Sequence, residues 1–161
     1  LPASARQSRP HDVGFPYNVR FLVTFWRWLY FTAGPFSPDP NLSNIQARGS
    51  YLTTALGHCG ECHTPRNFMG GPQRDRLLAG GKGPEGKDIP NLTPAALKEN
   101  WNDKDLADFL SSGRTPDGDV PAEPMGEVIR NTTGQLTATD LAAMVAYLRT
   151  LPAIADDTKK K

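Results

Sequence analysis

Cysteine is scarce in this chain, two among 161 residues, and histidine is nearly as rare, with three. So few ligating side chains exclude a zinc site built from two separated ligand pairs. Excess charge is missing too. Eighteen Lys and Arg stand against 17 Asp and Glu, a net charge of +1, without the basic surplus of a nucleic-acid binder. No apolar run reaches the roughly 18 residues of a membrane-spanning helix. The nearest, FLVTFWRWLYF from Phe21 to Phe31, is short and interrupted by Arg27. Strand signals are nearly absent, and no strand–helix–strand context suggests a thioredoxin-like thiol pair. Hydrophobic residues make up only 38%, while Gly and Pro number 15 each, so much of the chain is expected to be loop. The length suits one ordinary domain with additions. A thin apolar core needs another source of cohesion, and a large buried ligand would supply it.

What is present is concentrated. Both cysteines and two histidines fall in GHCGECHTPRN, residues 57–67. Cys59-Gly60-Glu61-Cys62-His63 is C-x-x-C-H, the signature of covalent haem attachment. The spacing has a chemical reason. Two thiols add across the two vinyl groups on one porphyrin edge, and a helical turn brings both sulfurs to that edge. The next residue, His63, is carried beneath the ring as an iron ligand. A bare disulfide at this spacing would have no use for His63. His58 is read as a polar residue at a helix end, and His11 as an exposed residue of a Pro-rich lead.

An iron held by His63 needs a sixth ligand. Met144 shares an i, i+3, i+4, i+7 stripe with Leu141, Val145 and Leu148 and reads as core. Met69 follows His63 too closely to reach the opposite ring face. Met125 lies in VPAEPMGEV, where Pro121, Pro124 and Gly126 suggest a stiff, non-helical loop that presents the thioether. Met125 is therefore the expected sixth ligand. His/Met ligation raises the reduction potential and suits electron passage.

Helix signals surround these residues. Ser43 with Gln46 reads as a capping box opening a helix to about Leu56, stopped at Gly57. Thr93-Pro94 opens a short helix through Glu99. Asn102 caps Asp103 to Ser112, ended by Gly113. Thr137 with Asp140 caps a last helix reaching Leu151. The expected fold class is all-α, with long loops at 64–92 and 114–136.

The pieces FPYNVRFLVTFWRWLYF, RGSYLTTALGHCGECHTPRN, IPNLTP, the Trp101 to Leu110 helix, PMGEV and LTATDLAAMVAYLRTLP resemble a class I cytochrome c domain. More narrowly, they are similar to the multihaem cytochrome subunits of bacterial membrane-associated alcohol, gluconate and aldehyde dehydrogenases. The resemblance implies the cytochrome c fold, with N- and C-terminal helices crossing and one covalent haem c wrapped by loops. It implies His63 and Met125 as axial ligands, Gly49 at the close helix crossing and Tyr147 as its aromatic partner. A carbonyl from Pro65 or Pro72 would orient the His63 ring. Trp101, Arg66 and Arg114 are candidates for the haem propionates. The implied role is an electron carrier, taking single electrons from a periplasmic dehydrogenase and passing them to another cytochrome or a terminal oxidase. No nucleic acid is an expected partner. The implied location is the bacterial periplasm or the outer face of the inner membrane. The rival reading is a haem enzyme with a displaceable sixth ligand, such as a peroxidase or sulfur-compound oxidase; a third is a purely structural subunit. The resembling subunits carry two or three C-x-x-C-H motifs, and this chain carries one.

Three segments are expected: an N-terminal extension at 1–40, a haem domain at 41–155 and a charged tail at 156–161. In the extension, Asn18 would cap a helix from Val19 to Phe31. Arg20, Thr24 and Arg27 form its one polar stripe. A helix so apolar must be covered, first by its own haem domain, alternatively by a second haem domain, a dehydrogenase or a membrane interface. The chain opens at Leu1 rather than Met, so an upstream portion is expected to be removed or absent. Leu1-Pro2-Ala3 matches the Leu-Pro that ends the last helix and reads as the tail of a preceding haem domain.

Overall fold

The computed structural model describes residues 5, 10–83, 86–97, 101–121 and 123–155. The expected charged tail and the Leu1-Pro2-Ala3 match lie outside the described residues. By internal contacts the chain divides into two compact units, Leu1–Gly34 and Pro35–Lys161.

In the first unit, α1 runs from Arg20 to Tyr30. Asn18 does not cap it. Val19 holds the N-cap position without a side-chain bond, while the Asn18 N–H closes a turn onto the Gly14 carbonyl. The Thr24 hydroxyl reaches back to the Arg20 carbonyl at 3.4 Å, and the Arg27 guanidinium lies 5.3 Å from the Phe31 ring centre. No residue of α1 is buried; Phe21 is 78% and Trp28 77% exposed.

The second unit is built on two crossing helices. The first, α2, runs from Asn44 to Ser50. Its capping box is formed as expected: the Ser43 hydroxyl accepts from the Gln46 N–H, and the Gln46 side-chain oxygen Oε1 accepts from the Ser43 N–H at 2.9 Å. Beyond Ser50 the helix widens to π-helical pairing over Tyr51–Leu56. The Gly57 N–H skips back to the Leu52 carbonyl at 2.8 Å, and the Cys59 N–H to the Thr53 carbonyl at 3.1 Å. Such widened turns cluster at functional sites. Here one hands the chain directly to α3, Gly60–His63.

The loop over 64–92 carries a small antiparallel hairpin, β1 at Gly81–Lys82 and β2 at Asp88–Ile89, with Gly81 opposite Ile89. Next comes α4, Pro94–Leu97; its expected extension to Glu99 lies outside the described residues. Thr93 does not spend its hydroxyl on capping α4. That group bonds the Ile154 backbone instead. Asn102 and Asp105 form a reciprocal box at the start of α5, Asp103–Ser112, which ends at Gly113 with φ +78°. Only glycine takes that left-handed turn without steric cost.

The expected open loop at 114–136 is partly helical. Met125 begins α6, Met125–Asn131, and a 3₁₀ turn follows at Thr133–Gln135. The side chain of Glu123 explains the difference. Its carboxylate accepts from the Glu127 N–H at 2.9 Å and from Arg130 at 2.8 Å, supplying the anionic cap that a helix start favours. The last helix, α7, is Ala138–Leu148, ending before the expected Leu151. The Thr150 hydroxyl takes the Tyr147 carbonyl at 2.7 Å and closes the chain into a turn.

α2 crosses α7 at Gly49. A Cβ placed there would lie 1.8 Å from the Ala143 carbonyl oxygen and 2.9 Å from Tyr147 Cβ, so the crossing exists because the position has no side chain. Burial pushes the pKa of the Tyr147 phenol up, with Ser50 pulling it the other way. Around the crossing sit two apolar clusters. Leu52, Leu97, Leu106, Leu110, Leu141, Met144 and Val145 form the larger. Leu78, Tyr147 and Leu148 form the smaller.

Arg48 and Asp140 bridge the crossing at the surface through two bonds, 2.8 and 3.1 Å. The guanidinium holds the Asp140 carboxyl below its ordinary range. A depressed folded-state pKa gives stability that is present above the unfolded carboxylate value and lost as pH falls through the folded value. Asp140→Asn is therefore expected to flatten the acid limb of the stability curve. Thermal melts of both proteins at about pH 6 and about pH 3 check this, with the difference between them shrinking at the lower pH.

Candidate haem site

The π-helical turn and α3 position the motif. Cys59 already has helical backbone angles, and the His63 N–H bonds the Cys59 carbonyl at 2.9 Å. One continuous turn thus carries Cys59, Cys62 and His63, with the cysteines three apart on one side. Neither thiol is in a disulfide; Cys59 is half-buried and Cys62 exposed. Burial pushes the Cys59 thiol pKa up. His58, just before, is exposed with φ +50°. Its left-handed backbone turns the chain from the π segment into the motif.

The His63 ring is fixed by one bond, Nδ1 to the Pro90 carbonyl oxygen at 2.8 Å. A carbonyl only accepts, so Nδ1 carries the hydrogen and Nε2 keeps its lone pair for a metal. Burial lowers the His63 pKa, with the Pro90 bond pulling the other way. The expectation was a carbonyl from Pro65 or Pro72, and neither serves. The Pro65 carbonyl accepts the Gln73 N–H at 2.9 Å, and Pro72 pairs with Arg66 in an isolated bridge. Pro90 comes into place because β1–β2 folds the loop back beneath α3. The Gly80 N–H takes the His63 carbonyl at 2.8 Å, and the Leu92 N–H takes that of Leu78 at 2.8 Å. No local spacing in the sequence marks Pro90 for this contact.

The three methionines separate by environment. Met144 is 2% exposed within the larger cluster, and Met69 is 39% exposed in the loop after the motif. Met125 is half-buried at the start of α6 and packs on the larger cluster, as do Cys59, Trp101 and Leu136. Cys59 also touches the smaller cluster. Trp101 stacks edge-on against Phe109 at 5.3 Å. Arg66 is committed within its own loop, to the Gly70 carbonyl at 2.8 Å and the Glu61 carboxylate at 2.6 Å. Arg114 is exposed.

Residues 46–152 match the family model described as Cytochrome c. This chain belongs to the cytochrome c family. Over 156 residues it is 47% identical to a diheme cytochrome c-type protein of Cereibacter sphaeroides, covering 96% of this chain and 51% of that one. It is 37% identical over 145 residues to the fructose dehydrogenase cytochrome subunit of Gluconobacter japonicus, covering 88% and 29%. It is 33% identical over 163 residues to the cytochrome c subunit of a quinone alcohol dehydrogenase of Gluconacetobacter polyoxogenes, covering 93% and 34%. The chain thus spans about half, or less, of the length of these relatives.

The residues of this cytochrome fit a covalent haem c. Two thiols, an imidazole with a free Nε2 and a half-buried thioether make a suitable donor set. Half-covered Cys59, Trp101, Met125 and Leu136 around one core are what a flat apolar ring would finish covering. The Thr53 hydroxyl, on a residue 1% exposed, has no hydrogen-bond partner among the described residues, an unmet polar atom of the kind a bound group or water satisfies. Among the described residues, no helix is long and apolar enough to cross a membrane.

Proposed function

We propose that this chain is a one-electron carrier, a haem domain serving a periplasmic dehydrogenase and passing electrons on to another cytochrome or a terminal oxidase. Cys59 and Cys62 hold the haem, His63 and Met125 are its axial ligands, and one haem occupies the chain. Bound haem supplies the Fe(III)/Fe(II) couple; the protein binds it, orients it and keeps it dry. The observation that carries the reading is the bond from His63 Nδ1 to Pro90, which presents Nε2 from the same helical turn that presents both thiols. Pro90 also raises the basicity of the imidazole.

The matched relatives include cytochrome subunits named for fructose, alcohol and gluconate dehydrogenases. They support a donor that oxidises a sugar, alcohol or related small molecule. Because c-type haem is attached outside the cytoplasm, we assign the chain to the bacterial periplasm. The Arg, Trp and Tyr side chains of α1 suit contact with the outer face of the inner membrane.

Ligand titration separates the carrier from a haem enzyme. The haem-loaded protein is expected to bind cyanide slowly when ferric and carbon monoxide slowly when ferrous, and its ferric form to show a Met–iron charge-transfer band at the red end. Rapid binding would replace the carrier reading with the enzyme one. Attachment has its own test. Cys59→Ala/Cys62→Ala is expected to lose all haem on acid–organic extraction, whereas the wild type retains it and resists thiol alkylation.

A further inference from the structure

Between Pro90 and α4 lies a claw that grips the far end of the chain. Asn91 is 4% exposed and Thr93 0%. The Asn91 amide donates to the Ile154 carbonyl at 2.7 Å, and its oxygen accepts from the Thr93 N–H at 2.8 Å. The Thr93 hydroxyl donates to the same Ile154 carbonyl at 3.2 Å and accepts from the Ile154 N–H at 3.2 Å. Arg76 adds a bond to the Ala155 carbonyl at 3.2 Å. Every polar atom of both side chains is used: the Asn91 oxygen ties Asn91 to Thr93, and the Asn91 amide and the Thr93 hydroxyl go to the backbone of Ile154 beyond α7.

Helix capping does not require this arrangement. A Thr93 hydroxyl turned onto the N-terminus of α4 would satisfy α4 locally. Instead the claw joins the strap after α7 to the residue that follows Pro90. On its other side Pro90 follows β2, whose Ile89 pairs with Gly81. Gly80 sits beneath with φ +86°, where a Cβ would lie 3.0 Å from the Ile89 carbonyl. The Pro90 carbonyl is therefore clamped from both directions along the chain.

We propose that Asn91 and Thr93, by gripping Ile154, are positioning residues that set the Pro90–His63 hydrogen bond and thereby tune the reduction potential. This rests on the proposed role of His63 as iron ligand. A carbonyl held short against Nδ1–H makes the imidazole a stronger electron donor, which favours ferric iron. Loosening the strap lengthens that bond and favours ferrous iron, so the potential rises.

Full-length, haem-loaded Thr93→Val and Asn91→Ala variants test this. Potentiometric titration is expected to show the ferrous form favoured by roughly three- to tenfold, less than the roughly 10–100-fold effects of deleting a direct outer-sphere partner. The proton NMR signal of His63 Nδ1–H should shift and exchange faster. Thr93→Ser keeps the hydroxyl and should restore both readouts, and it remains informative if Asn91→Ala does not fold. Arg48→Ala, which perturbs the helix crossing without touching the strap, should leave the potential where it is. Unmoved potential and Nδ1–H signal in folded Thr93→Val overturn the inference alone. A wild-type spectrum without imidazole–thioether ligation overturns the proposed ligand set and this inference together.

Discussion

Gly49→Val is expected to leave the chain unable to hold its fold. Even the first added carbon, Cβ, would sit 1.8 Å from the Ala143 carbonyl oxygen and 2.5 Å from its carbon. Both are backbone atoms of α7, and no rotamer change can clear them. Relief demands that α7 move bodily away from α2. That movement would unpack Leu52 and Met144, each 2% exposed. Overpacking a tight core costs about 1–3 kcal/mol where side chains can adjust, and here only backbone can. A loss above ~3 kcal/mol is a large part of a stability of about 5–15 kcal/mol. The gain in helix propensity on replacing glycine by valine, less than about 1 kcal/mol, does not offset it. Gly126→Ala is the matched comparison. Its Cβ would meet the flexible ends of Glu123 and Arg130 at 3.1 and 3.2 Å, which can swing aside. Urea unfolding should show Gly126→Ala within about 1 kcal/mol of wild type and Gly49→Val unfolded or nearly so. A cooperative Gly49→Val transition near the wild-type midpoint would refute the packing account.

Met125→Ala is expected to change redox behaviour far more than stability. Met125 is only half-buried, so truncation should cost less than the ~2–5 kcal/mol of a fully buried methionine. Loss of the thioether removes the soft donor that favours ferrous iron. The potential should fall by on the order of 0.2 V, a fraction of the ~0.8 V that axial ligands span. Carbon monoxide should then bind the reduced variant at once. The red charge-transfer band should vanish from Met125→Ala and persist in Met69→Ala. A variant that keeps the band would remove Met125 from the proposed ligand set.

Local signals in the sequence were legible because they act over a few residues. The Ser43–Gln46 and Asn102–Asp105 boxes and the stop at Gly113 all appear as read. The tight crossing at Gly49 also appears, although that expectation came from resemblance. What escaped depends on folding at a distance. The bond from Pro90 to His63 needs the β1–β2 hairpin to turn the loop back, and two-residue strands leave no periodicity to find. α6 was missed because Pro121, Pro124 and Gly126 read as breakers, whereas Pro can sit at a helix start and Glu123 caps it. Asn18 failed as a cap because its backbone had already closed a turn with Gly14.

The place of Cys59, against both apolar clusters at once, bears on how the protein matures. In the proposed attachment, Cys59 would tie the ring to the residue that both apolar clusters share, while Cys62 is exposed. A thioether bond there would rivet the two half-cores through one covalent link, which chain fluctuations cannot reverse.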